Sequence, residues 1–170
     1  LFYGLYRDVA VHGTSIEYVR GKPRKHVIWG WMAIGDVLKV NSENSDPEWA
    51  RYHPHFTDKR GANNTVYVAA KKAFGRHSGS GVFEEYQPKL FLTYLTEQQK
   101  IRPSLWSLPK WCRPRDGRYP LTYYGKDKCW SVQEDRVMLQ TKSPGQEFVL
   151  DTKFYPEAEK WAESLIGMHC

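Results

Sequence analysis

His53 and His55 stand one residue apart in the string YHPHF, and two imidazoles on the same side of an extended segment can hold one metal ion. Zinc needs a third ligand and usually a fourth, and the nearest carboxylates in sequence are Asp46 and Asp58. A divalent transition metal is the cofactor such a motif would take. The same stretch carries Arg60 and Asn64, so a histidine and an arginine can instead grip a phosphate or a base edge. Histidines that simply close a loop are a third reading, and the residue types leave all three open. Pro54 stiffens the loop and Thr65 begins a β-branched run. His53, His55, Arg60 and Asn64 are therefore expected where a loop meets the mouth of a small barrel, facing one cavity.

Cations recur in groups along the chain: Lys22, Arg24 and Lys25; Lys71, Lys72 and Arg76; Arg113, Arg115 and Arg118; Lys126 and Lys128. They alternate with aromatics, and an aromatic beside a cation can stack a base while the cation holds the adjoining phosphate. Arg76, Tyr123, Tyr124 and Trp130 join the histidine stretch as candidate ligand-binding residues on this ground. Trp29, Trp31 and Trp161 read as core, because large indoles in apolar runs bury their area. A formal charge of +6 with 15% aromatic residues suits a nucleotide or a nucleic acid as partner.

Several chemistries lack their signatures. The chain has no Ser/His/Asp order, no phosphate loop ending in Lys-Ser/Thr and no G-x-G-x-x-G. GRHSGSG, residues 75–81, has the glycines of a phosphate cradle without the lysine and helix that complete one, and reads as flexible. Glu147 and Asp151 lie four apart on an expected strand and share a face, which is compatible with acid–base work and equally with solvated carboxylates. Cys112, Cys129 and Cys170 form no C-x-x-C pair, and an odd, scattered set predicts a reducing, cytoplasmic setting. No run approaches the roughly 18 apolar residues of a membrane helix, so a membrane is not an expected partner.

The elements that must position these groups are mostly strands. LFYGLY is apolar on both faces and is expected to be covered on both, with TSIEYVR as a half-exposed neighbour. HVIWGWMAIGDVLKV is too long for one flat strand and is expected to bend at Gly30 and Gly35. A loop with a helical turn from Pro47 leads to a strand over Thr65–Ala70, and Lys89–Leu95 reads as another strand before a turn at TEQQK. RPSLWSLPKWCRPRDGRYP carries Pro103, Pro109, Pro114 and Pro120 and reads as an ordered loop. Val137–Gln140 and Glu147–Asp151 read as strands joined at Ser143-Pro144-Gly145. Pro156 opens a helix that presents Ala158, Trp161, Ala162 and Leu165 on one face and stops at Gly167. The predicted fold is α+β: one domain over residues 1–170, a small, strongly bent, mostly antiparallel β-barrel or sheet with a C-terminal capping helix. The way LFYG and IWGWMAIGDV follow one another is similar to the start of PUA-like barrels.

The strings LFYGLYRDV, HVIWGWMAIGDVL, YHPHF, NTVYVA, SLWSLPKW, PLTYYG and GQEFVLDTKFYPEA, in this order and spacing, resemble the third of the nucleotide modification associated domain families, found in bacteria and their phages. Cys112 and Tyr124 depart from the pattern, standing where another aromatic and a histidine are expected. The resemblance implies that the chain is the C-terminal portion of a longer domain, whose missing N-terminal portion is a partner to the residues seen here. It also implies the handling of a nucleotide, or of a modified or flipped nucleobase, in a bacterial or phage nucleic-acid modification system. Two alternatives stay open: a metal-dependent enzyme acting on a nucleotide through His53 and His55, and an interaction module of a phage or defence complex that docks through SLWSLPKW.

Overall fold

Apolar β-branched and aromatic runs pair as strands here, and the segments bounded by glycine and proline turn between them. A computed structural model describes residues 1–40, 47–56, 64–96, 101–114, 124, 127–142 and 148–167. In chain order the strands are β1 (Phe2–Tyr6), β2 (Val9–His12), β3 (Ser15–Tyr18), β4 (Lys25–Met32), β5 (Ile34–Lys39), β6 (Thr65–Ala69), β7 (Lys72–Ala73), β8 (His77–Ser78), β9 (Ser80–Val82), β10 (Leu105–Pro109), β11 (Trp130–Gln133) and β12 (Arg136–Gln140), and the helix is α1 (Glu157–Ile166). The class is α+β, with small, curled, mostly antiparallel sheets. Among the described residues no sheet closes into a barrel, because none holds more than three strands and most strands are too short to carry a ladder round. No described helix is long and apolar enough to cross a membrane.

Two compact units form, one from residues 1–30 and 83–170 and the other from residues 31–82. In the first, β1 pairs antiparallel with β4, β2 with β3, and β12 lies between β10 and β11. Its core joins Val27 and Ile28 to Leu90, Trp106, Leu139 and Leu165. The helix forms as expected. Pro156 precedes it, Glu157 and Glu159 sit in its first turn where the dipole favours acids, and Gly167 ends it. Ala158 and Leu165 are buried, and Trp161 packs edge-on to Trp111 at 5.8 Å.

Four sequence expectations need correction in this unit. LFYGLY is not covered on both faces, since Phe2 is 39% exposed. Between Pro103 and Pro109 the chain is a strand: the prolines sit before and at the end of β10, leaving the interior amides free to pair with β12. Residues 89–95 make a turn at Pro88–Leu90 and isolated bridges from Phe91 to Val27 and from Thr93 to Trp106 instead of a continuous strand. Residues 148–151 are not strand, and the hairpin partner of β12 is β11, turned at Glu134 with φ 38°. That turn was hidden because Glu-Asp carries none of the usual Asn-Gly signal for positive φ. The TEQQK turn from Glu97 onward and Ser143-Pro144-Gly145 lie outside the described residues.

At the centre of this unit His26 is almost fully buried in β4. Trp106 Nε1 donates to its Nδ1 at 3.1 Å, and the Pro103 carbonyl lies 2.9 Å from the same nitrogen. Thr93 Oγ1 donates to that carbonyl at 3.0 Å and accepts the His26 amide at 2.8 Å. Nδ1 can accept from the indole N–H or donate to the Pro103 carbonyl but not both, so the ring tautomer decides which of these two contacts is a hydrogen bond. Nε2 has no hydrogen-bond partner. Burial lowers the His26 pKa from its ordinary 6.5, with the Pro103 carbonyl opposing.

In the second unit β5 pairs antiparallel with β6 around a core of Val40, Ala50, Phe56 and Val66. The long apolar run breaks at Ala33, whose amide donates to Gly79 O at 2.7 Å. Gly35 passes so close to Ala70 that a Cβ would stand 2.7 Å from its Cα. GRHSGSG is ordered rather than flexible: it holds β8 and the start of β9, with His77 buried. Trp31 Nε1 donates to Ser78 O at 3.0 Å, its ring covers Gly81, and a Cβ on Gly79 would overlap the Ala70 carbonyl.

Backbone cannot yield as a flexible side chain can, so Gly79→Ala should destabilise the second unit by at least about 2 kcal/mol in urea denaturation. The His26 linkage has a definite sign. Its folded pKa lies below 6.5, so on acidification the unfolded chain takes up the proton first, and stability that is complete above pH 6.5 declines below it. Melting temperatures measured across that range should fall on the acid side. His26→Leu should flatten this part of the profile and cost about 1–3 kcal/mol above pH 6.5, less on the acid side, because the polar groups around Nδ1 lose their partner.

Candidate nucleotide-binding surface

Strand alternation sorts the first unit's aromatics. On β1, Tyr3 and Leu5 point to one side, and Phe2, Gly4 and Tyr6 to the other. Tyr3 turns inward, edge-on to His26 at 5.8 Å and to Trp106 at 5.1 Å. Phe2 turns outward.

A bulge then adds a second ring beside it. Phe2 pairs with Gly30 and Tyr3 with Ile28, which leaves Trp29 as the extra residue on β4. Bulges re-aim side chains, and here the indole stacks on Phe2 at 5.3 Å between centroids and 20° between planes. Trp29 and Phe2 are each 39% exposed, in contrast to Trp106 at 4%. Gly30, opposite Phe2, adds no side chain to the pair.

Further along the same side of β1, Gly4 leaves room for the Tyr6 ring, whose Cε2 lies 2.9 Å from where a Cβ would stand. Tyr6 meets Tyr86 edge-on at 6.0 Å, and Tyr86 lies 6.3 Å from Phe91. The Lys25 ammonium sits 5.3 Å from the centre of the Phe91 ring and 2.8 Å from Asp8. Tyr86 is 63% exposed as a residue. Partial burial of its hydroxyl, then Tyr6 and Asp8, raise its pKa above the ordinary 10, so it remains a neutral donor. Tyr6 and Phe91 also pack against the unit's core, so the rings that face water are Phe2, Trp29 and Tyr86. Exposed rings can stack planar bases.

The residues singled out from sequence fall elsewhere. His53 and His55 are exposed in the second unit, where Pro54–Phe56 is a 3-10 turn and not an extended segment. Amide bonds from His53 to Ala50 O and from Phe56 to His53 O, each 2.9 Å, close successive turns there. The rings nevertheless meet edge-on at 5.0 Å, and His53 Nδ1 accepts the His55 amide at 3.3 Å. Asn64 Nδ2 donates to His55 O at 2.8 Å, joining the loop to the start of β6. Arg60, Asp46, Asp58 and Tyr123 lie outside the described residues. Among the described residues no group of three or more His, Cys, Asp or Glu converges as metal ligands would. Arg76 is exposed and directs Nε to His77 Nε2 at 3.2 Å.

Tyr124 and Trp130 lie in the core. Tyr124 has no exposed surface, its hydroxyl accepts the Lys142 amide at 3.0 Å, and its carbonyl accepts Trp130 Nε1 at 2.8 Å. Burial pushes the Cys112 thiol up to about 12, with Arg136 opposing and Glu157 adding to the shift, so it is a packing group and not a thiolate nucleophile. Sequence reasoning missed Phe2, Tyr6 and Tyr86, and read Trp29 as core. The alternation of β1 carried part of the signal. The bulge that turns Trp29 outward has no signature in the residue types.

No curated protein and no solved structure matches the chain. A family does match, over residues 1–151 of the 170: the one described as nucleotide modification associated domain 3. Its description gives the family a role in nucleotide modification systems. The match spans most of the sequence, and the chain belongs to the nucleotide modification associated domain 3 family.

Proposed function

We propose that the chain binds a nucleotide, or a modified base extruded from nucleic acid, by stacking it on the Phe2–Trp29 pair. The observation that carries this reading is the pair itself: two nearly parallel rings, each 39% exposed. Exposed rings of this size are costly to keep in water, and a planar ligand would cover them. The formal charge of +6 and membership of a nucleotide modification associated family favour a phosphate-bearing ligand over other flat molecules.

Binding should be visible as quenching of tryptophan fluorescence when mononucleotides and short single strands, with and without modified pyrimidines, are titrated at low salt. Affinity for single strands should fall linearly on a log–log plot against salt, as counterion release requires. Trp29→Ala should weaken binding by roughly 5- to 150-fold, the range set by the loss of one base–aromatic stack. The same variant should lose under about 1 kcal/mol of stability, because the ring is already exposed. Undetectable affinity for every nucleotide and strand tested, or unchanged affinity in Trp29→Ala, would sink the proposal.

A further inference from the structure

The ribbon formed by β2 and β3 is apolar on its outside. Val9 pairs with Tyr18 and Val11 with Ile16, so these four side chains share one face. They are exposed by 48%, 66%, 66% and 69% for Val9, Tyr18, Val11 and Ile16. A two-stranded ribbon with this much uncovered aliphatic surface is marginal in water by itself, and an exposed apolar face of this kind marks an interaction surface.

Charge identifies the partner's class. The opposite face, where Ala10 pairs with Glu17, carries the ribbon's acid, and Asp8 is neutralised by Lys25 at 2.8 Å. The apolar face therefore has no carboxylate. Arg7 lies over the Tyr18 ring at 4.8 Å. Just after β3, Arg20, Lys22 and Arg24 are all exposed, and none forms an ion pair among the described residues. A narrow apolar blade with three exposed cations at its base suits the minor groove of a nucleic acid, where apolar side chains wedge between base steps and phosphates line both rims. Strands and ribbons are among the elements that enter nucleic-acid grooves. The ribbon also leaves β1 through Arg7 and Asp8 alone, so it is tied in sequence to the strand that bears Phe2 and Tyr6.

We infer that the β2–β3 ribbon is a groove-inserting arm that docks double-stranded nucleic acid, with Val11 and Ile16 entering the groove and Arg20, Lys22 and Arg24 on its phosphates. The inference draws on the proposed handling of bases by this unit, but uses different residues and a different ligand form.

The test is fluorescence anisotropy on a labelled duplex and on a single strand of the same length, over a series of salt concentrations. Val11→Ser with Ile16→Ser should weaken duplex binding by roughly tenfold or more and leave single-strand binding within about twofold. Both positions are exposed, so the melting temperature should not fall. Arg20→Gln, Lys22→Gln and Arg24→Gln together provide a second variant that leaves the ribbon's packing untouched, and should reduce the salt slope on duplex by about 0.9 for each phosphate that is no longer neutralised. Duplex affinity and salt slope unchanged in both variants would overturn the inference. So would a wild-type chain that ignores duplex but self-associates in sedimentation, or that floats with phosphatidylserine-containing vesicles, with either behaviour abolished by the serine substitutions. Failure of the base-stacking proposal registers separately, as single-strand binding that survives Trp29→Ala.

Discussion

A neutral imidazole buried in the core fixes the larger unit, because its Nδ1 and its backbone amide are tied to groups far away in sequence. His26 Nδ1 lies within hydrogen-bond reach of the Trp106 indole and of the Pro103 carbonyl, Thr93 Oγ1 donates to that carbonyl, and the His26 amide donates to the Thr93 hydroxyl. The partners are 67 to 80 residues away in sequence. Displacing any of them leaves a buried donor or acceptor unpaired, at a cost of about 1–3 kcal/mol. The strands that carry them are held in register accordingly: His26 on β4, Trp106 on β10, and Thr93 on the bridge to Trp106. Around this network pack Tyr3, Phe148 and Tyr124, with Phe148 at 4.7 Å from Trp106 and 5.3 Å from Tyr124.

The inward turn of Tyr3 dictates the outward turn of Phe2, since side chains alternate along β1. The candidate surface is thus the reverse side of the core strand. A fixed inner face gives the outer rings a rigid support, and rigid aromatic platforms lose little conformational entropy when a flat ligand lands. Trp29 reaches that face only through the extra residue of the bulge.

The histidine stretch follows a different logic. Its rings meet because a 3-10 turn winds His53 and His55 toward each other, and its tie to β6 runs through the Asn64 side chain and a backbone carbonyl. Exposure leaves these groups solvated. The chemistry concentrated in this part of the sequence is spread over surface loop, whereas the rings of the first unit are organised by a packed sheet.

The amino-acid order by itself determined the α+β class, the family, the helix between Pro156 and Gly167, and the strands at LFYGLY, TVYVA and RVMLQ. These depend on local periodicity, end signals and motif order, which are written in neighbouring residues. Tertiary structure decided which aromatics face water. Trp29 and Trp31 stand two apart in one apolar strand and looked equivalent, yet Trp31 is buried over Gly81 and Trp29 is turned out by a bulge opposite β1. Tyr124 and Trp130, beside cations in sequence, are drawn into the core by hydrogen bonds to the Lys142 amide and the Tyr124 carbonyl. The β10 strand emerged from a proline-rich run because β12 supplied the ladder. In each case the deciding partner is distant in sequence or is backbone, so side-chain identity alone does not encode the outcome.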